Sequence, residues 1–454
     1  MVADSEGRML DDLVGVNGSG DIELALHQGA YPDLVTQVTD GLGNYHSPDW
    51  VPLSNTTTVS AAATFDNPFA ITRRGLPIVA SYHANDGAGG SYTMSYHYDS
   101  PARVVSGGFL GFQSVATTDG RSNDTTTATW LINPYQAHLI SDVTVTQPNG
   151  DKIKDDSYSY KEHWGVSQSE SVIVYHWTTT QYDTAGNELY WTKRDYTYDA
   201  NEEPSAATVT TTDYATNKKW KNTVTLTLNS SATTSNWCLA LPSEADVTQT
   251  LPDNSSAIRQ TSFTPNLSHC REGDVTTNTQ NTNTSTKTTL TYDAFGNVKT
   301  AAVVGHNADG SAMATRTTNY GYDSQGEFQT STKDPLGETI SYGWDTARGL
   351  KTSQTAPNGT TTSYVYDGFG RSTRTTYPSG AYQILTWQPC TGSDCASAAY
   401  AVGGMLYTAS GSFQSIWQQN YDSFGRLVAG GRRLVLIQPN DGWAWSERSY
   451  NTRG

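Results

Sequence analysis

The sequence predicts an all-β protein built from antiparallel hairpin repeats. Three observations predict it: a composition low in apolar but rich in aromatic residues, a Tyr-Asp-x-x-Gly element that recurs along the chain, and an in-phase repeat of 22 residues in the C-terminal half.

Composition comes first. Of 454 residues, 36% are hydrophobic and 11% aromatic, with Tyr 27 and Trp 12. A compact domain of average composition is about 45–50% apolar, so one thick core is not expected. Disordered chains are poor in aromatic residues, so disorder is not expected either. Extended sheet held by aromatic cross-strand pairs reconciles the two. Lys+Arg total 28 against Asp+Glu 44, a net charge of -16. Nucleic-acid binding needs a surplus of cations, so that class is set aside. The acidity favours solubility. No run of about 18 apolar residues exists, so no membrane span is expected. Met1 is followed by polar and acidic residues where a signal peptide would be basic and then apolar.

The repeat is the strongest signal. Pro335, Gly337, Thr339, Tyr342, Trp344 and Asp345 recur 22 positions later as Pro357, Gly359, Thr361, Tyr364, Tyr366 and Asp367. A third unit opens at Pro378-Ser379-Gly380 and then departs around Cys390 and Cys395. The Tyr-Asp-x-x-Gly element stands in five copies: Tyr182, Asp183 and Gly186; Tyr292, Asp293 and Gly296; Tyr322, Asp323 and Gly326; Tyr366, Asp367 and Gly370; Tyr421, Asp422 and Gly425.

The physics of the unit follows from residue type. Tyr-x-Tyr or Tyr-x-Trp puts two rings on one face of a strand. Asp opens a turn by accepting from the backbone ahead of it, and Gly takes the positive φ where the chain reverses. A Thr-rich strand follows, and Pro-x-Gly makes the opposite turn. Each unit is therefore a hairpin, and these Asp and Gly residues are read as turn chemistry, not catalysis.

Four cysteines allow three pairings, and the sequence leaves the choice open. The favoured pairing is local, Cys238–Cys270 and Cys390–Cys395. A metal site is not expected at them, since no CxxC pair exists and no His stands at ligand spacing.

These motifs resemble the Rhs/YD-repeat family, which includes Tc-toxin shell subunits, polymorphic Rhs toxins and teneurins. The repeats carry the resemblance over about residues 290–454. Residues 32–44, 50–53, 76–80, 86–98 and especially Gly107-Gly108-Phe109-Leu110-Gly111-Phe112-Gln113-Ser114-Val115 resemble the SpvB-type and Tc-toxin B-type proteins of that group. Asp11-Asp12-Leu13-Val14 resembles the strand of an FG-GAP propeller blade, and Asp4, Glu6 and Asp12 faintly echo the calcium loop of such blades. Their spacing departs from that loop, and an Asp-rich turn is the simpler reading, so no metal or other cofactor is expected. The domains implied are a propeller remnant at 1–28, a B-type shell region at 29–230 and repeat hairpins at 231–454.

The resemblance implies that the strands form part of a curved, hollow shell around a C-terminal toxic segment, which an autoproteolytic core domain cuts free. The implied partners are the remaining shell and toxin segments, on the same or a partner chain. The implied setting is secreted or at a cell surface. Asp334-Pro335-Leu336-Gly337 is similar to the family's cut site, but it is in phase with the repeats, Glu338 stands in place of Leu, and it is read as a turn. Tyr450-Asn451-Thr452-Arg453-Gly454 reads as the start of a further repeat, so the chain is expected to be a fragment with unpaired edge strands.

Other chemistries lack their residues. Glu202-Glu203 are adjacent and do not make the Glu-x-Glu of an ADP-ribosyltransferase, Gly18-Ser19-Gly20 lacks the frame of a nucleophile elbow, and His83 and His97 read as sheet residues. The second reading is a cell-surface adhesion or carbohydrate-binding protein, in which rings such as Trp443 and Trp445 stack on sugars. The third is an enzyme within the middle region.

Overall fold

The computed structural model describes residues 2–3, 12–19, 21–26, 34–65, 68–72, 76–86, 90–105, 108–132, 138–164, 170–199, 203–229, 238, 241–281, 283–307, 309–390, 398–434 and 444–448. Among these, every regular element is a β-strand. Among the described residues the recorded strand pairings are antiparallel except one, between Val59–Ser60 and Ser91–Val104. The expected all-β class is the observed one. Its physical cause is the supply of Thr, Tyr and Val, which suit a pleated, half-buried surface.

The accessible surface is 26364 Å². A compact monomer of 49.2 kDa would expose about 17,000 Å². Among the described residues most strand side chains remain partly exposed and few are buried. The chain divides into two units, one chiefly Met1–Asp195 and the other chiefly Trp220–Ser449.

In the first unit, Val2–Ala3, Asp12–Val16 and Ile22–Ala25 form a small sheet of their own. A second sheet begins at Val38–Thr39 and Tyr45–Pro52. Tyr45–Pro52 pairs with Pro77–Asn85, which pairs with Ser91–Val104. From there the strands meander through Phe109–Asp119, Thr125–Trp130, Ile140–Thr146, Lys152–Trp164, Glu170–Tyr182 and Glu188–Tyr198. The short strands Val59–Ser60 and Phe69–Ile71 both dock on Ser91–Val104. This local layering buries Leu53, Val59, Phe69, Ala84 and Ala102.

In the second unit each described strand pairs with the next in sequence, from Lys219–Leu228 to Ala444–Glu447. Such a meander needs only local turns, and the sequence supplies them at a regular interval. The 22-residue period is two strands and two turns: Thr339–Asp345 with Leu350–Thr355, then Thr361–Tyr366 with Ser372–Thr376. Buried apolar residues gather near the end of this unit, at Ala401, Val402, Val428 and Ala429.

Candidate functional site

The recurring Tyr-Asp-x-x-Gly turns share one hydrogen-bond scheme. At Asp367 the backbone N–H donates to the Arg371 carbonyl (2.9 Å) and the Gly370 N–H donates back to the Asp367 carbonyl (3.1 Å). The Asp367 Oδ1 accepts from the N–H groups of Phe369 and Arg371, both at 2.9 Å, and Oδ2 accepts from Arg371 Nε at 2.7 Å. Asp422 repeats this scheme with Phe424 and Arg426, and Asp183 and Asp293 repeat it with Asn187 and Asn297 in place of Arg. Asp323 departs by one residue: its N–H reaches the Phe328 carbonyl. This is a type I turn followed by a left-handed glycine, one of the common hairpin closures. The five glycines, Gly186, Gly296, Gly326, Gly370 and Gly425, have φ between 70° and 85°.

In the four turns that share the full scheme, both carboxylate oxygens are engaged within the turn. At Asp183 the Asn187 side-chain amide and then its backbone N–H hold the carboxyl below its ordinary value. At Asp367 partial desolvation acts upward, but the Arg371 N–H and guanidinium outweigh it, and the pKa is again lowered. Asp334 closes a turn of the opposite edge in the same way, accepting from Leu336 N (2.9 Å) and Glu338 N (2.8 Å).

Each Tyr-Asp turn is preceded by a bulge at the aromatic residue. Tyr322 pairs with Gln329 while Gly321 pairs with Ser331, so Thr330 has no opposite number. Trp344 with Lys351 and Tyr366 with Ser372 repeat this, leaving Thr352 and Thr373. A bulge disrupts the ladder locally. The carbonyl beside each of these three bulges is then met by the ring of the next hairpin. Trp344 Nε1 donates to Gln329 O (2.8 Å), Tyr366 Oη to Lys351 O (2.8 Å) and Trp387 Nε1 to Ser372 O (3.2 Å). All three bonds span fifteen residues. The repeat therefore needs Tyr or Trp, a ring with a donor, where Phe would leave the carbonyl unmet. The sequence carries this signal in the spacing of Trp344, Tyr366 and Trp387, which reading the turns alone does not use.

Neighbouring hairpins also interlock at their turns. The Asn297 side-chain amide donates to the Gly326 carbonyl (2.8 Å). The Phe295 ring lies where a Cβ on Gly326 would sit, 2.5 Å away. Lys351 lies between two rings one period apart, 5.7 Å from the Tyr342 centroid and 5.3 Å from that of Tyr364.

The remaining candidates fall as follows. Cys238 and Cys270 are disulfide-bonded to each other, and Cys238 is buried. Cys390 is also disulfide-bonded, and Cys395 lies outside the described residues. Asp4 and Glu6 lie outside them too, and Asp12 opens the strand Asp12–Val16. Among the described residues no group of three His, Cys, Asp or Glu side chains is placed to hold a metal. Trp443 is also outside, as is Glu202. His83 sits in the sheet between Thr93 Oγ1 (2.8 Å) and Asp49 Oδ2 (3.1 Å), with half of its side chain exposed.

Residues 344–382, the stretch where both turn types keep strict period, match the RHS Repeat family. That stretch carries RHS repeats. No protein of curated function matches the sequence. The chain is similar in fold to the TcdB2-TccC3 structure without its hypervariable C-terminal region, with TM-score 0.70 and 10% identity over 100% of this chain and 34% of that one. It is similar to the Photorhabdus luminescens Tc holotoxin pore, with TM-score 0.69 and 10% identity over 100% of this chain and 34% of that one. TcdB2-TccC3 in complex with Cdc42 gives TM-score 0.66 and 10% identity, over 95% of this chain and 33% of that one. The chain thus spans about a third of the length of the solved chains that it matches.

Proposed function

We propose that the chain is a non-catalytic segment of the shell of a secreted Tc-like toxin, and that with the remaining shell segments it encloses a toxic segment. The observation that carries this reading is the ladder of hairpins, whose fold resembles TcdB2-TccC3 along the whole chain. A sheet that leaves this much surface exposed is suited to walling off a space. The turn carboxylates support a scaffold, because in four of the five Tyr-Asp turns both carboxylate oxygens are engaged within the turn. Disulfides support an oxidising destination outside the cytoplasm.

The test is protease protection. The chain is expressed with the rest of its reading frame, and the accompanying segments are followed under limited proteolysis. The expected result is a segment that resists cleavage in buffer and is cut once urea opens the sheet. Equal cleavage in both conditions would overturn enclosure.

A further inference from the structure

The first unit holds an open hollow of about 460 Å³, lined by His46, Pro48, Val79, Tyr82, Tyr96 and Tyr98. Its size and aromatic lining are those of a small-molecule site. Strand register builds it. Pro48 pairs with Tyr82 across one strand boundary and Met94 with Tyr82 across the next, so Tyr82, Tyr96 and Tyr98 share a face. The rings form a row: His46 to Tyr82 at 5.5 Å, Tyr82 to Tyr96 at 6.1 Å and Tyr96 to Tyr98 at 6.1 Å.

We propose that this hollow binds the quaternary ammonium group of a small organic cation. Ring faces carry negative electrostatic potential and attract cations. The charge around them agrees. The chain is acidic overall, at -16, and the opposite face of the same strands carries Asp49 and Asp99. Arg121, over the Tyr92 ring, is paired with Asp119 at 2.7 Å. Burial raises the phenols of Tyr82 and Tyr96 and pushes Tyr98 up to about 12, so all three stay neutral at physiological pH. The same lining selects among cations. The Tyr98 hydroxyl is spent on the Val79 carbonyl at 2.7 Å, and the lining is mostly apolar. An ammonium with N–H groups would exchange hydrogen bonds to water for the few acceptors of this lining, whereas a quaternary one has none to lose.

The test is titration calorimetry of the whole chain with choline, beside its uncharged carbon isostere, dimethylbutanol. Choline should bind saturably, and the alcohol should bind at least about threefold more weakly. Tyr96→Phe should keep the difference and Tyr96→Leu should abolish it. Equal binding of the two ligands, or no binding of choline at millimolar concentration, overturns the proposal. That comparison on the unmodified chain decides the matter even if the leucine variant does not fold.

Discussion

The phenol of Tyr366 donates to the backbone carbonyl of Lys351, 2.8 Å away. Lys351 is itself the residue opposite Trp344 at the bulge of the preceding hairpin. One hydrogen bond thus joins the bulge of one repeat to the aromatic signature of the next, and Trp344 to Gln329 and Trp387 to Ser372 repeat it. Stability in this chain should therefore depend on tethers between hairpins more than on a central core.

Tyr366→Phe keeps the ring and removes the donor. A half-buried carbonyl left unmet costs about 1–3 kcal/mol, so unfolding in urea should shift by that amount. Tyr364→Phe, at a ring that contacts Lys351 through its face, should be close to neutral. Equal effects of the two substitutions would remove the tether from the account.

Gly326 and Gly359 both have positive φ, at 70° and 79°. A Cβ at Gly359 would meet nothing within 4 Å, while one at Gly326 would meet the Phe295 ring at 2.5 Å. Gly359→Ala should cost about 1–2 kcal/mol for the left-handed conformation alone. Gly326→Ala should cost about 1–3 kcal/mol more from overpacking, and adding Phe295→Ala should relieve only part of that, because the Cβ of residue 295 still lies 2.8 Å away. Thermal melts of the three variants check this.

Replacing both cysteines of the Cys238–Cys270 bond by serine opens a constraint across a sequence separation of 32. The chain-entropy account gives a loss of about 3–4 kcal/mol for a loop of this length. Denaturant unfolding with and without reductant measures it, and reductant should have no further effect at this site in the double variant.

Acid should weaken the sheet at identifiable carboxylates. The Asp274 pKa is lowered from 3.8, first by the Lys287 ammonium at 2.9 Å and then by the Thr289 hydroxyl. A lowered folded-state pKa gives stability that is present above 3.8 and is lost as pH falls through the folded value. Asp183 acts in the same direction through Asn187. The melting temperature should be flat down to about pH 4 and fall below it. Asp274→Asn should lower it at neutral pH and flatten the acid limb.

The sequence by itself determined the fold class. A low apolar fraction with many rings excludes a thick core, and the recurrence of Trp344 as Tyr366 and of Gly337 as Gly359 marks hairpins of fixed length. These signals are legible because turn geometry is local: an Asp accepts from residues two and four ahead, whatever the rest of the chain does. Only the tertiary structure decided which carbonyl each ring reaches, because that depends on the bulge that displaces Thr352 or Thr373 from the ladder. It alone also assembled the hollow of His46, Tyr82 and Tyr96 from three strands. Strand register, set by pairing between distant segments, places side chains on a common face, and a shift of one residue would send each of them to the other side.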